Sequence, residues 1–312
     1  MTATGRVEIR GCRTRAELER AVDLLDGAFA NTEREYFERH VLLDPTLQPE
    51  DTRMLIRDGT LLSSVQIFPR MLWLHGRQIP FGGIGNVVTH LDARAKGFAA
   101  MVLRDALDRL RQRDIPMAML TTTINAYYER FGFKTVEREV LTLSGVFGGP
   151  APGIRVFRRE PDLAAVRAIY DEYNHGSIGP LVRDDVYWNG QFDFCGEDPD
   201  KFLVLEDAGQ IRAYVRAAVR KGQLHILEFG ARPAIPLAFE SLLRSVASLA
   251  PDVPITMFVS DAERQRLELR RTGRTTMDTD MMVAVLDESV RDLVETHLWK
   301  RNAVTMWLSD FF

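Results

Sequence analysis

The sequence predicts an α+β protein made of two tandem units, each a mostly antiparallel, twisted sheet flanked by helices. Three observations carry this expectation. Within the first 146 residues the apolar period changes from 3.6 to 2 and back, so helices and strands share one unit. The second half then replays the order of the first: Asp58-Gly59 is answered by Ala208-Gly209, Ile115-Pro116 by Val253-Pro254 and Gly132 by Gly273, at shifts of 150, 138 and 141 residues. The length of 312 residues also fits two domains at roughly 150 residues each. The expected division is residues 1–147, a linker at 148–154, residues 155–287, and a C-terminal tail at 288–312.

The elements follow in order. Val7 to Ile9 reads as a short strand, and residues 15–29 as a helix with Leu18, Ala21, Leu24, Leu25 and Phe29 on one face. A second helical stretch at 31–43 stops before Asp44-Pro45. Arg53–Arg57, Leu61–Pro69 and Met71–Leu74 alternate as antiparallel strands around the turns Asp58-Gly59 and His75-Gly76. An apolar strand, Phe81–Thr89, leads into a loop at 91–97 and an amphipathic helix at 99–113. Pro116 opens a further strand, a short helical segment carries Tyr127 and Tyr128, and a strand near 137–146 closes the unit. The run Gly148 to Gly153 is rich in Gly and Pro and reads as the linker. In the second half the same reading gives a helix at 161–173, an irregular stretch at 174–200, and strands at 202–206, 211–220 and 223–229. A helix at 235–249, a strand at 255–260, a helix at 261–271 and a strand at 280–286 complete it.

Composition narrows the function. Forty Lys and Arg against 44 Asp and Glu leave a net charge of −4, which argues against a nucleic-acid partner, since such proteins carry a basic excess or stripe. The balance suits a cationic small molecule. Cys12 and Cys195 match no zinc or redox spacing and read as unpaired thiols. His175, His225 and His297 show no metal-ligand spacing, so no metal is expected. The charged N-terminus lacks the apolar core of a signal peptide, and no stretch reaches 18 apolar residues. The expectation is a cytoplasmic protein with no membrane partner; a homo-oligomer is left open.

The chemistry concentrates at FGGIGNVVTHLDARAKGFAA, residues 81–100. A strand runs into a loop, Arg94-Ala95-Lys96-Gly97-Phe98-Ala99, that opens a helix. Such a loop aims successive backbone N–H groups at an anion, with the helix dipole in support. Gly97 lets a phosphate approach the backbone, and Arg94 and Lys96 add positive charge. The same six residues also read as a solvated basic turn in front of an amphipathic helix. GxxxxGK[ST] is absent, and the glycines at 82–85 lie in a strand pattern rather than at a helix start.

In its order of strand, Arg94-x-x-Gly97-x-Ala99, helix, strand, and Tyr128 followed by Gly132-Phe133, the chain resembles the GNAT superfamily of N-acyltransferases, whose acyl-CoA signature is [Q/R]xxGx[G/A]. The resemblance covers about residues 7–146 and, as a degenerate copy, about 155–287. In the second half FGARPAIPL stands where the phosphate loop should be, so only the first half is expected to bind acyl-CoA. Among tandem members it is most similar to the enhanced-intracellular-survival type of aminoglycoside acetyltransferase. That type has an active first half, a tyrosine in Tyr-x-Arg-Phe-Gly and a terminal phenylalanine, but also a third, sterol-carrier-like domain, where here about 25 residues follow the last expected strand. Mycothiol synthase, another tandem member of similar length, has its catalytic half at the C-terminus.

The resemblance implies an N-acetyltransferase using acetyl-CoA, or a longer acyl-CoA, as co-substrate and a primary amine of a small molecule as acceptor. The pantetheine arm would pair with the strand edge at Val87, Val88 and Thr89. The amides of Ala95, Lys96, Gly97, Phe98, Ala99 and Ala100 would hold the pyrophosphate, with Arg94 beside them. Tyr128 would protonate the departing thiolate, or be a packed aromatic like Tyr127. The base that takes the ammonium proton is the Phe312 carboxylate or His90. Phe312 could instead belong to an apolar tail docked on the second unit, and His90 could be a surface or capping group. Asn125 orients the acyl-CoA or caps its short helix. The acceptor pocket is expected between residues 24–40 and the second unit. Two rival functions stay open: a transferase that takes an aminoacyl group from transfer RNA, and a non-catalytic amine or acyl-CoA sensor.

Overall fold

The computed structural model describes residues 6–30, 32–145, 147–194, 201–233, 235, 237–267 and 273–310. The expected α+β class holds: twisted, mostly antiparallel sheets are flanked by helices. The first half contributes β1 (Val7–Gly11), α1 (Arg15–Ala28), α2 (Arg34–Glu38), β2 (Thr52–Arg57), β3 (Thr60–Leu74) and β4 (Arg77–Thr89). It continues with α3 (Phe98–Gln112), β5 (Met117–Thr121), α4 (Asn125–Glu129), β6 (Phe133–Thr135) and β7 (Arg138–Leu143). The second half contributes β8 (Ile154–Val156), α5 (Arg159–Asn174), β9 (Ile178–Leu181), α6 (Asp185–Phe194), β10 (Phe202–Asp207), β11 (Gln210–Arg220) and β12 (Gln223–Ala231). After them come α7 (Ala238–Ser248), β13 (Ile255–Phe258), α8 (Asp261–Arg266), β14 (Arg274–Asp278) and β15 (Met281–Val285).

Local chemistry explains the main helices. Thr14 caps α1 by accepting from the Glu17 N–H at 3.2 Å, and Ala21, Val22, Leu24 and Leu25 bury its inner face. The stripe Val102, Leu103, Ala106, Leu107 and Leu110 seats α3 on the first sheet. The glycine run of β4 serves that packing: a Cβ on Gly82 would collide with both terminal methyls of Leu110.

Among the described residues one sheet has the order β1-β2-β3-β4-β5-β15-β6, with β9 added to β3, and the other β14-β7-β13-β12-β11-β10-β8. The two halves therefore exchange their last strands. β15 enters the first sheet between β5 and β6, pairing Met281–Val285 with Thr121–Met117. β7 enters the second between β13 and β14, pairing Val140 with Phe258 and with Thr276. The strand expected near 137–146 thus exists but closes the other sheet. Met281–Val285 and Met117–Leu120 are apolar on both faces of a buried sheet, and such runs carry no mark of which partner they take.

Three further expectations are corrected. Leu61–Pro69 and Met71–Leu74 form one strand: β2 stops pairing at Gln66, so Pro69 lies where β3 has no neighbour on that side until Leu72 meets β9. The stretch 174–200, read as irregular, holds β9 and α6, with Cys195 and its successors outside the described residues. The helix expected at 31–43 is a short α2 followed by a wider turn at Arg39–Leu43.

The segment after β15 is anchored inward. Val304, Met306 and Trp307 are buried, the Thr305 N–H donates to the Ile178 carbonyl at 2.7 Å, and the Trp307 indole N–H donates to Asn174 Oδ1 at 3.0 Å.

Candidate active site

The site is built where β4 leaves β5. These parallel strands pair only at Gly82 with Ala118 and Gly83 with Met119. Beyond Gly83, β4 carries a bulge: Val65 of β3 faces two residues, Asn86 and Val87, between the pairs Gln66–Gly85 and Ser64–Val88. Asn86 takes φ +49 there, and its amide donates to Gln66 Oε1 at 2.5 Å. The bulge turns Val87, Val88 and Thr89 away from β5. Their other edge is held: Ser63 Oγ bonds the Val88 carbonyl at 2.6 Å and Thr89 Oγ1 at 2.9 Å. Between β4 and β5 the sheet opens into a wedge whose β4 backbone is free to pair with an added chain.

The wedge leads to the start of α3. His90 begins a tight turn, Leu91–Ala93, and Ala95 (φ +60) and Gly97 (φ +80) are both left-handed. The first helical bond is Met101 N–H to the Gly97 carbonyl, 3.1 Å. The amides of Phe98, Ala99 and Ala100 precede it, with neither a side-chain cap nor an acidic residue in that turn. A Cβ on Gly97 would meet nothing within 4 Å, so the space beside Gly97 is open. Lys96 is turned back on the loop, its ammonium on the Asp92 carbonyl at 2.7 Å, while an Arg94 guanidinium nitrogen lies 3.5 Å from the Ala28 carbonyl. A donor-lined, cation-flanked cradle of this kind suits a pyrophosphate.

Tyr128 comes from α4, directly after β5. Val87, Phe98, Leu120 and Tyr128 pack in one apolar cluster, which brings the strand edge, the helix start and the tyrosine to one place. Tyr128 is 7% exposed, edge-on to Tyr127 with ring centres 5.0 Å apart. Burial, with a smaller contribution from Tyr127, pushes its phenol up to about 12. It therefore stays protonated across the neutral range and can donate to an anion that forms beside it.

The remaining candidates have local partners. The exposed His90 ring accepts from the Asp92 N–H through Nδ1 at 3.3 Å, the contact of a capping group. Asn125 donates to Thr135 Oγ1 and to the Thr279 carbonyl, each at 2.8 Å, tying α4 to the chain that enters β15. Phe312 lies outside the described residues.

Two residues before it, Asp310 belongs to a buried ionic network that the motif reading missed. Arg183 binds Glu228 and Asp310, Arg216 lies 3.6 Å from Glu228, and both Tyr170 and Tyr187 donate to Asp310, the latter at 3.0 Å. Burial alone would push the Glu228 carboxyl up; Arg183 and Arg216 reverse this and hold it at about 2. The signal was present: Glu228 and Arg216 interrupt strands that are otherwise apolar at the inward positions. Among the described residues no group of three His, Cys, Asp or Glu converges to bind a metal, and no helix is long and apolar enough to cross a membrane.

Residues 8–136 match the family described as the acetyltransferase (GNAT) domain. Among solved structures, a conserved protein of unknown function from Enterococcus faecalis V583, titled a probable N-acyltransferase, superposes with a TM-score of 0.72 at 19% identity, covering 95% of this chain and 75% of that one. A GCN5-related N-acetyltransferase from Kribbella flavida gives 0.71 at 16% identity, covering 92% and 73%. Eis1 from Mycobacterium abscessus gives 0.61 at 16% identity, covering 90% and 74%. At these identities the likeness is one of fold. No curated protein matches the sequence.

Proposed function

We propose that this chain, whose residues 8–136 match the acetyltransferase (GNAT) domain, transfers an acyl group, most simply acetyl, from acyl-CoA to a primary amine of a small molecule, in the cytoplasm and in a direct ternary complex. The observation that carries this reading is the wedge between β4 and β5 opening onto the uncapped start of α3, with Tyr128 packed at the junction.

Each residue has a defined task in this reading. The backbone of Val87, Val88 and Thr89 pairs with the pantetheine amides, and an N–H on this edge polarises the thioester carbonyl. The amides of residues 95–100 hold the pyrophosphate, and Arg94 adds charge from the side. Acetyl-CoA supplies an activated acyl group on a thiol leaving group. The acceptor arrives as an ammonium, which has no lone pair until it loses a proton. The Phe312 carboxylate or His90 takes that proton. Tyr128 protonates the departing CoA thiolate, and the second proton released from the nitrogen as the amide forms restores the phenol. Asn125 acts at one remove, by fixing the helix that carries Tyr128.

Titration calorimetry with acetyl-CoA, followed by thiol release with a panel of amines, tests the reading. One site per chain, lost in Gly97→Glu, supports it. No binding of acetyl-CoA or longer acyl-CoAs refutes it and leaves a transfer-RNA donor or a sensing role. Removing residues 311–312 and, separately, changing His90 to glutamine identifies the base: the variant that loses turnover while keeping acetyl-CoA affinity contains it.

A further inference from the structure

The strand exchange creates a second feature. On the face of the second sheet away from its main core lies a cavity of about 500 Å³, within the usual range for small-molecule sites. It is lined from both halves of the sequence: Thr121 ends β5, Arg138 belongs to β7, Phe258 to β13, Asp278 to β14, and Asp280 and Leu308 follow. Thr142, Thr256 and Thr276 add hydroxyls to its wall.

Its charges are not equivalent. Asp278 is committed to Arg138, whose Nη2 lies 2.7 Å away, and that guanidinium stacks over Phe258 at 4.0 Å. The Asp280 carboxylate has no hydrogen-bond or ion-pair partner among the described residues. Burial and the neighbouring Asp278 raise its carboxyl above the ordinary range, with Arg138 opposing. Arg274 lines the opposite end of the strand that Asp280 follows, six residues away or roughly 20 Å of extended chain. His225 also faces the cavity, and burial holds its ring below the usual value and so favours the neutral form. The cavity is therefore polarised, with an unpaired carboxylate at one end and a cation at the other.

The carboxylate end is the one that meets the candidate active site. The Thr122 N–H donates to the Asp280 carbonyl at 2.8 Å, and Asn125 holds the Thr279 carbonyl. Tyr128 lies one turn along the helix that Asn125 begins. We propose that this cavity receives the acyl acceptor and that Asp280 holds its ammonium, making Asp280 a specificity-determining residue for cationic amines. The assignment rests on the acyltransferase reading and deepens it. A primary ammonium needs a carboxylate partner when it leaves bulk water, and of the two carboxylates in this lining Asp280 is the one that forms no ion pair among the described residues. The mixed lining of Phe258, Leu308 and threonines suits an amine whose body carries both apolar and hydroxyl surface.

The experiment is calorimetric binding of spermidine, tyramine and kanamycin to the wild type, Asp280→Asn and Asp280→Glu, with acetyl-CoA titrated into each. At least one amine should bind the wild type. Asp280→Asn should weaken it by about tenfold or more, the usual worth of a hydrogen bond to a charged group, and Asp280→Glu should restore most of the loss. The affinity for acetyl-CoA should stay within about twofold in all three. An amine that binds Asp280→Asn as tightly as the wild type overturns the assignment, and so does failure of all three amines to bind the wild type. Failure of the wild type to bind acetyl-CoA, with amine binding still dependent on Asp280, instead sinks the transfer reading and leaves an amine site. Because the Asp280 carboxylate pairs with no described side chain, neither substitution strands a buried charge; Asp280→Asn also relieves the repulsion from Asp278, so its melting temperature should equal or exceed that of the wild type.

Discussion

Replacing Gly97 by alanine isolates what the helix start does for acyl-CoA. Gly97 holds φ +80, and a Cβ there meets nothing within 4 Å, so the substitution makes no clash. Its effect on folding is conformational alone, about 1 kcal/mol for a residue forced into the left-handed region, or a melting temperature lower by about 2–4 °C. Gly59, in the turn between β2 and β3, provides the reference: φ is +81 and its Cβ would also meet open space. The two alanine variants should therefore melt together. They should part in ligand affinity, because only Gly97 belongs to the loop that leads into the uncapped amides of Phe98, Ala99 and Ala100. Excluding a phosphate oxygen from one amide is worth about 1.4 kcal/mol, a tenfold rise in the dissociation constant for acetyl-CoA. Gly97→Glu adds a like charge about 4 Å from the phosphates, a further 1–4 kcal/mol, and should abolish measurable binding. Calorimetry with melting curves on the same samples decides. Equal acetyl-CoA affinity for Gly97→Ala and Gly59→Ala would refute the placement of the pyrophosphate.

Other expectations follow from the same geometry. Tyr128→Phe should lower kcat by about 10²–10⁴ with acetyl-CoA affinity unchanged. Since the phenol titrates near 12, any alkaline limb of the wild-type rate below pH 10 should persist in whatever activity this variant retains; its disappearance would show that Tyr128 itself titrates there. Arg183→Met leaves Glu228 and Asp310 buried without their shared cation and should destabilise the protein by about 3–5 kcal/mol, measured as a shift in the urea midpoint; a change under 1 kcal/mol contradicts the network's role. Glu228, held at about 2 against an ordinary 4.5, contributes stability that is full above pH 4.5 and lost as pH falls toward 2. Urea midpoints between pH 5 and 2.5 should accordingly fall more steeply for the wild type than for Glu228→Gln, and parallel curves would rule this out.

Much of this was legible before any coordinates. The stripe on α3, the turns at Asp58-Gly59 and His75-Gly76, and the loop at residues 94–97 that opens a helix all rest on short-range rules of period and φ, and the structure has each of these elements where the sequence puts it. What stayed hidden was non-local. Met281–Val285 and Arg138–Leu143 are recognisable strands, yet nothing in them says that each completes the other half's sheet: Met281–Val285 is apolar on both faces and packs equally well in either position, and Arg138–Leu143 carries no mark of its partners. The same blindness covers Asp280. Its neighbours in sequence are ordinary turn residues, and only the exchanged strands bring Thr121, Phe258 and Leu308 around it. Lys96 and His90 mark the opposite limit: their types suggested ligand contact, and their nearest groups are the loop's own backbone.

The exchanged strands also dictate when the molecule can finish folding during its synthesis. The strand at Met117–Thr121 leaves the ribosome well before its partner at Met281–Val285, from which the whole of the second half separates it. Until then the first sheet has a slot between β5 and β6, with both backbone edges exposed. Contacts so distant in sequence form slowly, and open strand edges are templates for other chains. While the intervening chain is made, the first sheet therefore stays incomplete and vulnerable to accepting the closing strand of a second copy. A reciprocal, strand-swapped dimer is accordingly the characteristic misassembled form of this architecture, and a truncation that removes the closing strand should expose the slot permanently.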